Sequence, residues 1–559
     1  MTASSHHDIS DLQAATEREH VLAQCDLVVS DNTGDNLVRN AEQAVAWYRM
    51  AAKKGYVWAQ YNLGVSYDSG DGVARNARHA VEWYRKAAAQ GHAKAQYNLA
   101  VRYDIGDGAP RNARRATVWY RKAAQQGIAK AQYNLGRMYA TGDGVAPDQE
   151  QAATWYREAA EQGHAKAQYN LAVAYDNGDG VARDPAQAAA WYLKAAEQGL
   201  AKAQYNLAVS YDNGDGVAKD TPQALFWYRR AAEQGHSRAQ YNLGVRSRTG
   251  DGLVRDEQQA LVWYRKAAEQ GIADAQFSLG WMYEKALGTP RDPHQAAAWY
   301  HRAAEQGHAK AQYNLGVSFA NGDDRNRDGT QAAAWYRRAA EQGIAEAQFN
   351  LGWMYDRGDG VEKDPAQAVL WYRKAAEQEH LWAPYNLGWM YENGDGVARD
   401  SQQAIAWYRH AAQRGNAEAQ FSLGRMYEQG EGVVADAQEA LTWYHKAAEQ
   451  GHGGAQCNLG RMYHAGNGIA KDAQQAASWY RKAARQGIAE AQFNLGLLGA
   501  PAEGVGRRKA LGMPCANPAP AGSQEDPANL QDAVKKGVVP SQHKAGHQSG
   551  AQPHVSDAP

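Results

Sequence analysis

Histidine, a common metal ligand, recurs with a two-unit period that suggests growth by copying pairs of repeats: His92, His164, His236, His308, His380 and His452 stand 72 residues apart. The matching positions of the alternate units, each 36 residues after one of these histidines, hold Ile128, Leu200, Ile272, Ile344, Asn416 and Ile488. A metal site needs several imidazoles around one ion, at bond lengths of about 2 Å. Units packed about 10 Å apart would hold alternate histidines about 20 Å apart, so no shared ion is expected. The run Asp176-Asn177-Gly178-Asp179-Gly180 resembles the start of a calcium loop. An EF-hand needs oxygen ligands at alternate positions and an acid at the twelfth. Here Gly178 and Gly180 fall at the third and fifth positions and Gln187 at the twelfth. The run therefore reads as a turn. Cys25, Cys457 and Cys515 lie far apart and form no CxxC pair, which argues against a disulfide framework or a cysteine zinc site. No motif places a Ser-His-Asp set, a phosphate loop or a carboxylate pair. The GxG pairs sit in helix–turn contexts rather than after strands, so they are not a nucleotide fingerprint. No catalytic residue, metal or cofactor is expected.

What positions these residues is a repeat. Thirteen Trp-Tyr pairs, from Trp47 to Trp479, follow one another at intervals of 36 residues. Residues 163 to 199 show one unit. Ala167, Leu171, Ala172 and Tyr175 are spaced as the apolar stripe of a helix. Ala188, Trp191, Tyr192, Ala195 and Ala196 repeat that spacing in a second helix. Asp184 is placed to cap the second helix, Pro185 suits its first position, and Gly199 suits its end. The alanines allow close helix approach, with Trp191 filling the space beside them. Burial of each such indole is expected to stabilise by roughly 1.5 to 3 kcal/mol. Helices this short do not persist alone, so each unit must stack on its neighbours. Gly178 is the expected left-handed turn residue, and Val181 is expected to tuck into the core. Two turns depart from the pattern, around Ala286-Leu287-Gly288 and at Asp323-Asp324.

The fold class expected is all-α, a solenoid of 36-residue two-helix repeats over residues 21–498. Residues 1–20 read as a flexible segment. A degenerate first helix is expected near Leu22 to Val29, with Cys25 and Asp26 where Tyr and Asn usually stand, and a final unpaired helix over Ala491 to Leu498. Residues 499–559, rich in Pro, Gly, Ala, Ser and Gln, read as a disordered tail.

The motif AQYNLGxxY followed by GDGVxxDxxQAxxWYxKAAEQG closely resembles Sel1-like repeats, relatives of the tetratricopeptide repeat. Ala80, Trp83, Tyr84, Ala87, Ala88, Ala95, Leu99, Tyr103, Gly106 and Gly108 carry it in one unit, and Trp191 and Tyr192 repeat it in another. The resemblance implies a right-handed α–α superhelix and a role as an adaptor for protein complexes. It implies no shared catalytic residue and names no partner.

A recognition surface is sought where the repeats vary. One column of the first helix reads Val65, Val101, Arg137, Val173, Val209, Val245, Trp281, Val317, Trp353, Trp389, Arg425 and Arg461. The next column turns from Ser66 and Arg102 to Met354, Met390, Met426 and Met462. By the resemblance, first helices line the concave side. An aromatic and methionine strip centred on Trp353 and Trp389 would suit a protein interface; packing between neighbouring helices explains the same residues. A third column is basic early (Lys94, Lys130, Lys166, Lys202, Arg238) and mixed later (Asp274, Lys310, Glu346, Trp382, Glu418). Trp382, followed by Pro384, is either an exposed anchor or the mark of a distorted helix. The recurring asparagine, Asn98 for example, either holds an extended peptide or ties one repeat to the next. The candidate surface is thus Trp281, Trp353, Met354, Trp382, Trp389, Met390, Arg425 and Arg461.

Lys plus Arg is 60 and Asp plus Glu 61, a net charge of -1, which argues against a nucleic-acid partner. No window approaches the roughly 20 apolar residues of a membrane span, and the N-terminus lacks an apolar leader. The expectation is a cytoplasmic protein–protein interaction scaffold or adaptor that is not an enzyme. A signal for specialised secretion need not be apolar and is compatible with this sequence. The alternative is a binder of cell-wall glycan or another repetitive polymer, which a continuous aromatic track would favour.

Overall fold

The computed structural model describes residues 41–321 and 327–499. The expected N-terminal segment, the helix over 22–29 with Cys25 and Asp26, the Asp323-Asp324 turn and the tail from residue 500, with Cys515, lie outside the described residues. The described residues form 26 helices, most of them 13 residues long, and no strand. The chain divides into two compact units, Met1–Ile272 and Ala273–Pro559. Each is a stack of two-helix repeats.

The repeat containing Trp191 shows how the sequence builds one layer. Its first helix is Ala165–Asn177 and its second Pro185–Glu197. The first helix ends on Gly178, whose φ of +85° lets its amide close back on the Ala174 carbonyl. The turn is tied by a bond from the Asp184 amide to the Tyr175 carbonyl, 2.8 Å. Asp184 then accepts from the amides of Ala186 and Gln187, both at 3.0 Å, with Pro185 at the first position, where no donor is needed. Between the two helices Ala167, Leu171, Ala172, Ala188, Tyr192, Ala195 and Ala196 are buried. A leucine as fully buried as Leu171 contributes roughly 1.5 to 3 kcal/mol. Val181 is half-buried rather than enclosed.

The larger correction concerns the Trp-Tyr pair. The tyrosine is the core residue: Tyr84, Tyr120, Tyr192 and their equivalents are almost wholly buried. Trp227, Trp335, Trp371 and Trp479 are buried as expected, whereas Trp83 and Trp191 are half-buried at the flank. Their outer faces carry a lysine from one helical turn on, Lys86 at 4.0 Å and Lys194 at 3.8 Å from the ring centroid. Position i and position i+3 share a helix face, so every Trp-x-x-Lys of the repeat can form this cation–π pair.

Repeats are joined by a ladder of glutamines. Gln168 donates its amide to the Ala160 carbonyl at 3.1 Å and accepts from Gln198 at 2.7 Å. The same pair recurs at Gln132 with Gln162 and at Gln204 with Gln234. The ladder is interrupted where Pro384 and Arg414 replace both partners together.

Candidate protein-interaction surface

The histidines of the 72-residue series are helix caps. His164 accepts the Ala167 amide on Nδ1 at 3.2 Å, and its ring stacks on Tyr133 of the preceding first helix at 4.7 Å. His92, His236, His308, His380 and His452 repeat both contacts. Asn416 supplies the same cap, whereas Ile128, Leu200, Ile344 and Ile488 provide none. Burial pushes His236 and His380 down to about 4; for His236 the charges of Arg238 and Lys202 add to this. Two acids of the charge column, Glu418 and Asp274, lie beside these caps. His452 Nε2 lies 3.0 Å from Glu418 and His308 Nε2 lies 3.4 Å from Asp274.

The recurring asparagine lies between repeats. Asn98 stands against the hydroxyls of Tyr61 and Tyr84 and partly offsets the rise in their pKa caused by burial. Asn206 does the same for Tyr169 and Tyr192. Its geometry is that of a tie to the preceding repeat.

The candidate surface divides into three kinds of residue. Trp281, Trp353 and Trp389 are half-buried, each resting on the core with part of its indole outside. Met354 and Met390 are 2% and 1% exposed. A residue one step along a helix turns by about 100°, so a methionine that follows an outward tryptophan points inward. These two leave the surface and belong to the core. Arg425 and Arg461 reach back to the preceding repeat: Arg425 pairs with Glu392, and Arg461 meets Glu428 at 2.6 Å. They bind their own chain.

Trp382 marks a local irregularity. Glu379 stands where other repeats have glycine and takes φ +64°. The helix then begins late, as Ala383–Asn393 with Pro384 near its start, and Trp382 caps it in αR geometry without a side-chain bond. The indole is half-buried and meets Tyr385 edge-on at 6.5 Å. Of the framework residues, Tyr84, Leu99, Tyr103 and Tyr192 are buried, and Gly106 and Gly108 both have positive φ.

A family model, the Sel1 repeat, matches thirteen consecutive segments: residues 30–56, 59–92, 93–128, 129–164, 165–200, 201–236, 237–272, 273–308, 309–344, 345–380, 383–416, 417–452 and 454–488. The chain belongs to the Sel1 repeat family. As a Sel1-repeat protein it is a scaffold for protein–protein interaction. Among solved structures it is similar to a protective antigen present in uropathogenic Escherichia coli strains, at 35% identity and a TM-score of 0.65. That match covers 84% of this chain and 99% of the antigen. It is also similar to a Sel1 repeat protein from Oxalobacter formigenes, 34% identical over 56% of this chain and 93% of the other, with a TM-score of 0.44. No curated protein matches the chain.

The first of these similarities corrects the cytoplasmic expectation. That expectation rested on residues 1–20 reading as no apolar leader, and such a reading reports on one export route without placing a chain in a compartment. Among the described residues no helix is long and apolar enough to cross a membrane, and no group of three or more His, Cys, Asp or Glu is arranged to hold a metal ion.

Proposed function

We propose that this Sel1-repeat scaffold holds a partner protein on the first-helix face of its second unit, at Trp353 and Trp389. The observation that carries the reading is that these two indoles occupy the same register position on successive first helices and are half-buried there. A ledge of two large aromatics over a closed core is the usual make-up of an interaction hot spot. The surface is preformed by helix packing, so little ordering cost opposes association. The similar antigen of uropathogenic E. coli supports a partner met at the cell surface or outside the cell.

A polymer partner is disfavoured by two features. The first-helix tryptophans are local, with Val65, Val101, Val173, Val209, Val245 and Val317 at the same register elsewhere. The second-helix tryptophans recur throughout, but many of their rings carry the chain's own cations, as with Lys122 on Trp119, Lys266 on Trp263 and Lys482 on Trp479; at the proposed site Trp353 carries Arg357 in the same way, so Trp389 offers the freer ring.

The test is retention of proteins on the immobilised chain beside a Trp353→Ala, Trp389→Ala double variant that matches it in helicity and melting. A partner identified by mass spectrometry, held by the parent and lost by the variant, is the expected result. Equal retention by both places the site elsewhere.

A further inference from the structure

Near the end of each first helix stands a side chain that is usually acidic, and its partners repeat along the chain. The core tyrosine of the second helix donates its hydroxyl to it: Tyr84 to Asp68 at 3.1 Å, Tyr192 to Asp176 at 3.3 Å, Tyr408 to Glu392 at 2.7 Å and Tyr444 to Glu428 at 3.0 Å. In several repeats an arginine of the next first helix closes on the same carboxylate and bridges to the acid of the next turn. Arg102 joins Asp68 and Asp107. Arg246 joins Asp212 and, at 2.9 Å, Asp251. Arg425 joins Glu392 and, at 3.6 Å, Glu431. The fold thus contains a repeated receptor in which two carboxylates from adjacent repeats hold one guanidinium.

Asp356 and Asp395 are the corresponding pair in the middle of the second unit. The next first helix there carries Trp389 and Met390 at the two register positions that supply the arginines elsewhere. Among the described residues neither carboxylate has an ion-pair partner. Tyr372 is fully buried, and its hydroxyl has no hydrogen-bond partner within 3.5 Å there, although the nearby Asn386 amide partly offsets the rise in its pKa caused by burial. Burial first, and then the charge of Asp395, push the Asp356 carboxyl above its usual range, against a weaker opposing pull from Lys363 and Arg357. Asp176 and Asp215 also face non-arginine residues, Val209 and Ser210, but Tyr192 holds Asp176 and no tryptophan flanks the pair.

We propose that Asp356 and Asp395, flanked by Trp353 and Trp389, receive the guanidinium of an arginine carried by the partner protein. The inference rests on the surface reading above and names the chemistry of its centre. A guanidinium suits the site better than an ammonium. It can span two carboxylates, as Arg246 does, and it can lie on an indole, as Arg357 already lies over Trp353 at 5.2 Å.

The full chain is titrated with acetyl-glycyl-arginyl-glycinamide and with its citrulline counterpart, which keeps the shape and loses the charge. Saturation-transfer NMR reads the side-chain methylenes. Two variants accompany it, Asp356→Asn and Met390→Arg; the second places an arginine where Arg246 stands in the first unit, so the chain can fill its own receptor. Expected is transfer to the arginine peptide that falls at least fivefold with citrulline and in each variant, with helicity and melting of Met390→Arg matching or exceeding the parent. Equal transfer to both peptides, or transfer undiminished in both variants, overturns the proposal. No transfer to the arginine peptide, together with partner retention that still depends on Trp353 and Trp389, overturns the arginine chemistry and leaves the surface standing.

Discussion

Gly180 lies against the backbone of the preceding repeat: a Cβ placed on it would stand 2.0 Å from the carbonyl oxygen of Gln149. The second glycine of the Gly-Asp-Gly turn therefore sets how closely one repeat settles on the start of the previous second helix, Gln149–Glu161. Its φ of +68° adds a conformational requirement.

Replacing it tests that contact. Gly180→Ala is expected to cost about 3 kcal/mol, combining left-handed strain with a backbone clash. Gly163→Ala has φ +85° but open space around the added carbon, so it should cost only about 1 to 2 kcal/mol. Stacked repeats open locally, so the measurement is hydrogen exchange of the flanking helices. Equal loss of protection in the two variants would remove the close approach as the cause.

The converse change should stabilise. Ala286 and Glu379 take φ of +58° and +64° at positions where other repeats have glycine. Ala286→Gly and Glu379→Gly are each expected to raise stability by about 1 kcal/mol, less the entropy that glycine adds to the unfolded chain. Local exchange rates near each turn decide it, and slower exchange is the expected direction. For Glu379→Gly the change should also reach Trp382, whose late helix start follows the strained residue.

The sequence alone made the helix pairs, their Asp caps and the first turn glycine legible, because each depends on local spacing. Asp184, Pro185 and Gly178 need no tertiary contact to be read. What escaped depends on the neighbouring repeat. The spacing of Trp191 and Tyr192 places both toward the interior, and only packing decides that the tyrosine is enclosed and the tryptophan lies under Lys194. The histidine period was visible, but capping by His164 requires knowing that the helix begins at Ala165. Of the candidate surface, the pairing of Arg425 with Glu392 has a signal in sequence: a basic residue 33 positions after an acidic one, repeated at Arg461 and Glu428. Met390 could not be told from Trp389 by residue type, only by helix phase.

The glutamine ladder predicts a cost for removing one rung. Gln168→Leu leaves the Gln198 amide without its acceptor and the Ala160 carbonyl without its side-chain donor. Buried polar groups left unpaired cost about 1 to 3 kcal/mol each. Gln198 is exposed and can turn to water, so the expected loss is at the lower end. Pairing Gln168→Leu with Gln198→Leu should cost less than the sum of the two single changes, and a double-mutant cycle on the local opening free energy measures the coupling.

The histidine caps set a pH dependence whose sign follows from their shifts. His236 and His380 are lowered from 6.5 to about 4, and His92 and His164 are lowered as well. In the unfolded chain these rings take up protons near their ordinary pKa, while in the folded repeats the buried rings stay neutral, Nδ1 holding a helix amide. Unfolding therefore takes up protons below about pH 6.5. Their contribution is fully present above the unfolded pKa and is lost as pH falls from about 6.5 toward about 4. His236 is partly exposed, so solvent screening reduces its share, and His380 should dominate with on the order of 2 kcal/mol. His380→Asn keeps a side-chain acceptor, as Asn416 does in its own repeat, and removes the titration. Melting curves at pH 7 and pH 4.5 should show the parent losing more stability on acidification than the variant, and the same loss in both would assign the acid sensitivity to other groups.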